Sequence, residues 1–169
     1  LGADSIAAGQ TAAIVGIILV IFYIVLSYGI YGAMASAGLL VNLMLILGAL
    51  SLIQATLTLP GIAGIVLTMG MAVDSNVLIF ERIREELRRG RGVRDAIKAG
   101  YSRAISTIMD ANLTTLIASI LLYIFGSGPV RGFSVTLGIG IITSLFTAIL
   151  FTRFLIVLWI NAKKPKTLV

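Results

Sequence analysis

The sequence predicts an all-α membrane protein: a polytopic helical bundle of five transmembrane helices plus a cytoplasmic amphipathic helix. Three observations carry this expectation. Of 169 residues, 59% are hydrophobic and only 12% are charged, against roughly a quarter charged in an ordinary soluble domain. Mean hydropathy is +1.08. Uninterrupted apolar runs reach the ~20 residues that a helix needs to cross a hydrocarbon layer. A soluble fold of this size would lack the polar groups to cover its surface.

Cysteine and histidine are both absent. That excludes disulfides, removes the usual general base, and leaves no thiolate or imidazole for a metal site. No metal and no cofactor is expected. The net charge of +6 fits basic residues gathered at one membrane face, not a nucleic-acid partner. Residues 1–10, LGADSIAAGQ, lack the basic n-region of a signal peptide and read as an extracytoplasmic lead-in.

The first span covers about 11–31, with Tyr28 and Tyr31 suited to the membrane interface. The uncharged GAMASAG that follows reads as a connection. The second span covers about 38–59, with Asn42 and Gln54 placed towards its ends. Pro60 and Gly61 mark a tight turn, with proline fitting the start of the next helix. The third span covers about 61–80 and carries Gly64, Gly70 and Ala72. Small residues let another backbone approach, so this helix is the candidate for the bundle centre. It runs on into ERIREELRRGRG and so projects past the membrane, ending at Gly90 and Gly92. That extension reads either as basic anchoring with i,i+4 pairs such as Glu85–Arg89 or as a docking surface.

Val93, Ile97, Tyr101 and Ile105 recur every four residues within the cytoplasmic segment 81–105. They describe an amphipathic helix on the inner surface or against the bundle, or else a plain helical connector. The fourth span, about 106–125, carries Asp110, Asn112, Thr114 and Thr115. GSGPVRG turns into a fifth span at about 133–160, and 161–169 form a basic cytoplasmic tail.

Charge sets the orientation. With segment 81–105 inside, twelve of the thirteen basic residues lie at the cytoplasmic side and only Arg131 lies outside. The chain's N-terminus is then extracytoplasmic, its C-terminus cytoplasmic, and its place the inner cell membrane, in contact with lipid.

Two acidic residues fall inside spans, Asp74 and Asp110. A charged side chain at the bilayer centre costs about 2.5–3.5 kcal/mol on insertion scales. Each is either part of a proton or ion relay or a hydrogen bond locking two helices. Glu81 lies seven residues past Asp74, and Arg103 seven before Asp110. On antiparallel helices this puts both carboxylates about 10 Å from the same face. Asp74-Ser-Asn76 and Asp110-Ala-Asn112 share an Asp-x-Asn pattern, in which Asp and Asn point to different sides of a helix. A desolvated carboxylate without a cation titrates nearer neutral pH, the physical basis of a relay. Any partner charge must come from Arg153 or from another subunit. A pair of membrane aspartates also suits an intramembrane protease, though nothing else does. No phosphate-binding loop is present, so nucleotide hydrolysis is not expected.

The run LPGIAGIVLTMGMAVDSNVLIFERIREELRRGR resembles the hallmark region of the SecD family of protein-export membrane proteins, within the resistance-nodulation-division superfamily. AISTIMDANLTTLIASILLYIFGSGPVRGFSVTLGIGIITSLFTAILFTR and LGADSIAAGQTAAIVG resemble it too. The resemblance implies the last five of six family helices, without the first helix and the large extracytoplasmic domain. It implies a proton-linked role for Asp74, a polar motif at Asp110 and Asn112, and packing or helix-end roles for Gly70, Ala72, Asn76, Phe80, Glu81 and Arg82. It further implies a SecF-like subunit, a SecYEG-like channel and an exported unfolded polypeptide as partners, with the proton-motive force driving late translocation. A structural scaffold for a channel, or a small-molecule exporter of the same superfamily, are the other readings.

Overall fold

The structure, a computed structural model, describes residues 2–163. The expected basic tail beyond Lys163 lies outside them. Among the described residues there is no strand, and five helical rods are long and apolar enough to cross a membrane.

Helix α1 spans Gly2–Tyr28, so the expected lead-in is its first turns, and α2 spans Ile30–Leu52. The chain reverses at one residue, Gly29, whose φ of 59° suits glycine and few others. The connection expected at 32–38 is instead helical. Gly32 and Gly38 serve close approach: a Cβ on Gly32 would meet the backbone of Ile24, and one on Gly38 would meet Thr152. Because α2 starts earlier than expected, Asn42 sits in its middle and is fully buried, not near an end.

Residues 53–58 link α2 to α3, Leu59–Arg88. Thr58 caps α3, its Oγ1 accepting from the Gly61 amide at 3.2 Å, and Pro60 occupies the first turn. The turn therefore precedes Pro60. The thirty residues of α3 make a rod of about 45 Å, longer than the ~30 Å hydrocarbon layer. The helix stops at Gly90, whose φ is 87°.

Helix α4 runs unbroken from Val93 to Phe125. The amphipathic segment is thus not a separate surface helix but the first turns of the fourth span. Its apolar face packs on the bundle: Ala96, Ile97, Tyr101 and Ala104 are buried in one core with Ile79, Phe80 and Ile83 of α3. Helix α5, Pro129–Phe146, begins earlier than the expected 133 and passes through a π-helical turn, Thr147–Phe151, into α6, Thr152–Lys163.

Helix α3 packs against α5, α4, α1 and α2 and so occupies the centre. Helix α1 lies outermost, exposing Ile14, Ile18, Phe22 and Leu26 among others, as a lipid-facing helix does.

Candidate functional site

Asp74 lies midway along α3, and its buried and exposed neighbours define its direction. Ala72, Asn76, Ile79 and Phe80 are buried, whereas Ala63, Val66, Leu67, Gly70 and Asp74 form an exposed stripe. On α4 the corresponding outer stripe holds Thr107, Asp110, Leu113, Thr114 and Ile117. Both carboxylates therefore leave the bundle at membrane depth. Neither has an ion pair or an accepted side-chain hydrogen bond among the described residues.

The depth of the two groups follows from one contact. Gly100 of α4 lies against the backbone of Ile83 of α3. Asp74 is nine residues beyond Ile83 and Asp110 ten beyond Gly100, which places both about 13–15 Å above that contact on antiparallel helices.

The Asp-x-Asn pattern separates by face. Asp74 and Asp110 are exposed, while Asn76 and Asn112 are buried. Asn112 Nδ2 donates to the Ile108 carbonyl at 2.7 Å, and the Oδ1 atoms of Asn76 and Asn112 have no partner. A buried amide oxygen left so calls for water or a donor from elsewhere. Thr114 and Thr115 donate to the carbonyls of Asp110 and Ala111 at 2.9 and 3.0 Å. Their hydroxyl protons are thus turned onto their own helix, not towards a carboxylate.

The small residues divide as well. Gly64 is buried against Thr136 and the Phe133 carbonyl of α5, and Ala72 packs with Leu39, Ile46 and Met69. Gly70, expected to pack, has nothing within 4 Å of where a Cβ would stand. It lies on the outer stripe one turn from Asp74 and leaves a notch there.

Towards the charged end of α3, Glu81 accepts from Tyr28 Oη at 2.8 Å and pairs with Arg84 at 3.1 Å, joining α3 to α1. Arg82 pairs along its own helix with Glu85 at 3.2 Å. Arg153 stands over the Tyr101 ring, 5.2 Å from its centroid, and pairs with neither aspartate.

Glu86 was not singled out by the sequence reading. It is fully buried, with Arg89, Arg91 and Arg103 at 3.4, 2.8 and 3.0 Å. Arg103 meets Oε1 and Arg91 meets Oε2, and the Arg91 contact is an ion pair without hydrogen-bond geometry, since Oε2 has no hydrogen-bond partner. The signal was available: Ile79, Ile83 and Glu86 continue the buried stripe of α3.

Comparison with known proteins returns the same family for almost the whole chain. Residues 1–162 match the family described as protein export membrane protein SecD/SecF, C-terminal. The protein translocase subunit SecD of Rickettsia conorii is 57% identical over 168 residues, covering 99% of this chain and 32% of its own length. That of Magnetococcus marinus is 54% identical, with the same shares covered. The chain thus spans about a third of the length of these curated relatives. The crystal structure of SecDF from Thermus thermophilus, titled a translocon-associated membrane protein, superposes with a TM-score of 0.94 at 48% identity, over 98% of this chain and 23% of that one. SecDF in a super-membrane-facing form gives 0.89 at 48% identity, over 96% and 22%.

Proposed function

The chain belongs to the SecD/SecF C-terminal family of protein export membrane proteins, and from that premise we propose that it is the transmembrane part of a Sec accessory motor coupling proton flow to late steps of preprotein translocation. Asp74 is the principal proton-carrying group and Asp110 the second. The observation that supports this most is the position of the two carboxylates: at one depth, on the exposed stripes of α3 and α4, with no cation paired to them among the described residues. Hydrocarbon does not accept an ionised carboxylate in that position. The groups must be protonated, wetted or covered by another protein, and a cycle that alternates wet and dry surroundings is what a proton carrier needs.

A SecF-like subunit is the natural cover for the exposed stripes that carry Asp74 on α3 and Asp110 on α4. A SecYEG-like channel would receive the work, and an exported unfolded polypeptide would be the load. The printed names of the relatives, translocase subunit and translocon-associated protein, favour this assembly. No nucleotide hydrolysis is assigned. The membrane is the inner cell membrane, with α3's charged extension cytoplasmic.

The test uses the complete SecD-type protein with its SecF-type partner in sealed vesicles with an imposed proton gradient. Asp74→Asn should reduce gradient-dependent translocation by at least about tenfold, with helicity and partner association unchanged. Full activity in the folded variant would end the relay assignment. Stimulation that persists after the gradient is collapsed would point instead to a brace for the channel.

A further inference from the structure

The cytoplasmic mouth between α4 and α6 holds three cations that the relay does not use. Arg94, Lys98 and Arg153 line a crevice of about 240 Å³ together with Ile97, Val157 and Ile160. None of the three cations has a carboxylate partner among the described residues. This is unlike the cluster around Glu81, Glu85 and Glu86 of α3, with which Arg82, Arg84, Arg89, Arg91 and Arg103 pair.

The crevice is built, not a chance cluster of long side chains. Arg94 donates to Asn161 Oδ1 at 3.2 Å, bridging α4 to α6 at its outer rim. Arg153 is half-buried and held over the Tyr101 ring at its inner end. Lys98 lies between them. Arg94 and Tyr101 are seven residues apart on one helix, and Arg153 and Asn161 eight apart on the other, so the cations are spread over about 10–12 Å of depth. The wall between the cations is aliphatic, formed by Ile97 of α4 and Val157 and Ile160 of α6, and Val157 is 40% exposed. A ladder of cations along a partly open aliphatic wall matches a phosphodiester headgroup with the start of an acyl chain against that wall. A basic pocket between membrane helices on the cytoplasmic side suits that chemistry.

We propose that this crevice is a specific site for one anionic phospholipid of the cytoplasmic leaflet, with the phosphate held by Arg94, Lys98 and Arg153 and an acyl chain lying along Val157. An occupant there ties the start of α4 to the end of α6, where the only direct polar link in the structure's described residues is Arg94 to Asn161.

The full chain is released from bilayers of equal phosphatidylglycerol and phosphatidylcholine, and bound lipid is counted by native mass spectrometry. Phosphatidylglycerol should exceed phosphatidylcholine by at least about tenfold, given roughly fivefold per cation near an anionic headgroup. Lys98→Gln, at an exposed position, should cut the preference by roughly fivefold, and Arg94→Gln with Lys98→Gln and Arg153→Gln should abolish it. Arg131→Gln, at the opposite membrane face, should leave it intact. Equal binding of the two lipids, or a preference that Lys98→Gln leaves undiminished, overturns the proposal. So does displacement of the lipid by millimolar inorganic phosphate, which would make the crevice a free-phosphate site.

Discussion

Gly140 of α5 has no room for a methyl group. A Cβ there would come within 2.5 Å of Thr68 Cγ2 and 2.6 Å of Thr68 Cβ on α3. One turn earlier the roles reverse, with Gly64 of α3 facing Thr136 of α5. Glycine on one helix receives threonine from the other at both levels, and each threonine satisfies its hydroxyl on its own helix: Thr68 donates to Ile65 at 2.9 Å and Thr136 to Phe133 at 2.9 Å. Packing of this kind is what holds membrane helices together once lipid has removed the hydrophobic drive. Gly140→Ala should therefore lower stability by about 1–3 kcal/mol, read from reversible unfolding in mixed micelles. Gly70→Ala, with open space at its Cβ, should leave stability unchanged or raise it by up to about 1 kcal/mol. Equal losses at the two positions would refute this packing. The sequence marks Gly64 and Gly70 alike as small residues for helix contact. It does not say which one faces a partner, because six residues' separation turns them to different sides and only the identity of the neighbouring helix decides which side is inward. The Asp-x-Asn repeats were legible one step further. Two residues' spacing alone puts Asp and Asn on different faces, and the structure adds only that the aspartate takes the outer one.

At the scale of elements, α3 is held beyond the membrane by Glu86. Its carboxylate is fully buried, while the arginines around it are about half exposed at 45–50%. Arg103 belongs to α4, so this cluster fixes the tip of α3 to the start of the next span. Removing the anion leaves three cations facing one another. Breaking a buried pair typically costs about 3–5 kcal/mol, but the exposed arginines are screened by water, so Glu86→Gln should cost about 1–3 kcal/mol. Glu85→Gln, whose partners Arg82 and Arg89 are exposed, should cost less than about 1 kcal/mol. Unfolding curves of the two variants side by side check the contrast, and equal effects would remove Glu86 from its central place. The existence of each helix was readable from apolar length, and so was the reach of α3, from its unbroken passage into charged sequence. The boundaries were less so. GAMASAG looks like a loop because glycine and alanine are read as loose, yet here they are tight packing surfaces of α2. The π-helical turn at Thr147–Phe151 left no trace at all. TAILF contains nothing that breaks a helix, and the extra residue per turn answers to packing against α2 and α3.

For the whole molecule, the membrane class follows from composition, and an expected orientation from where the cations lie. The face left uncovered does not follow from either, because hydropathy averages over all sides of a helix. That face matters only if the chain sits in the membrane the way its charges require. The absence of cysteine makes this measurable with single substitutions at exposed, unpaired positions. Thr56 lies in the link between α2 and α3, Ser127 in the link between α4 and α5, and Arg88 at the far end of α3. In sealed right-side-out vesicles, a membrane-impermeant maleimide should label Thr56→Cys and Ser127→Cys but not Arg88→Cys. Inverted vesicles should give the opposite pattern. With that topology, Asp74 and Asp110 are at a common height above the cytoplasmic contact of Ile83 with Gly100. On the proposed relay, a proton entering from outside would meet both before it reaches the arginine-rich tip of α3. Labelling of Arg88→Cys from outside would invert the chain, put twelve basic residues on the wrong side, and reverse the direction in which any gradient could load those carboxylates.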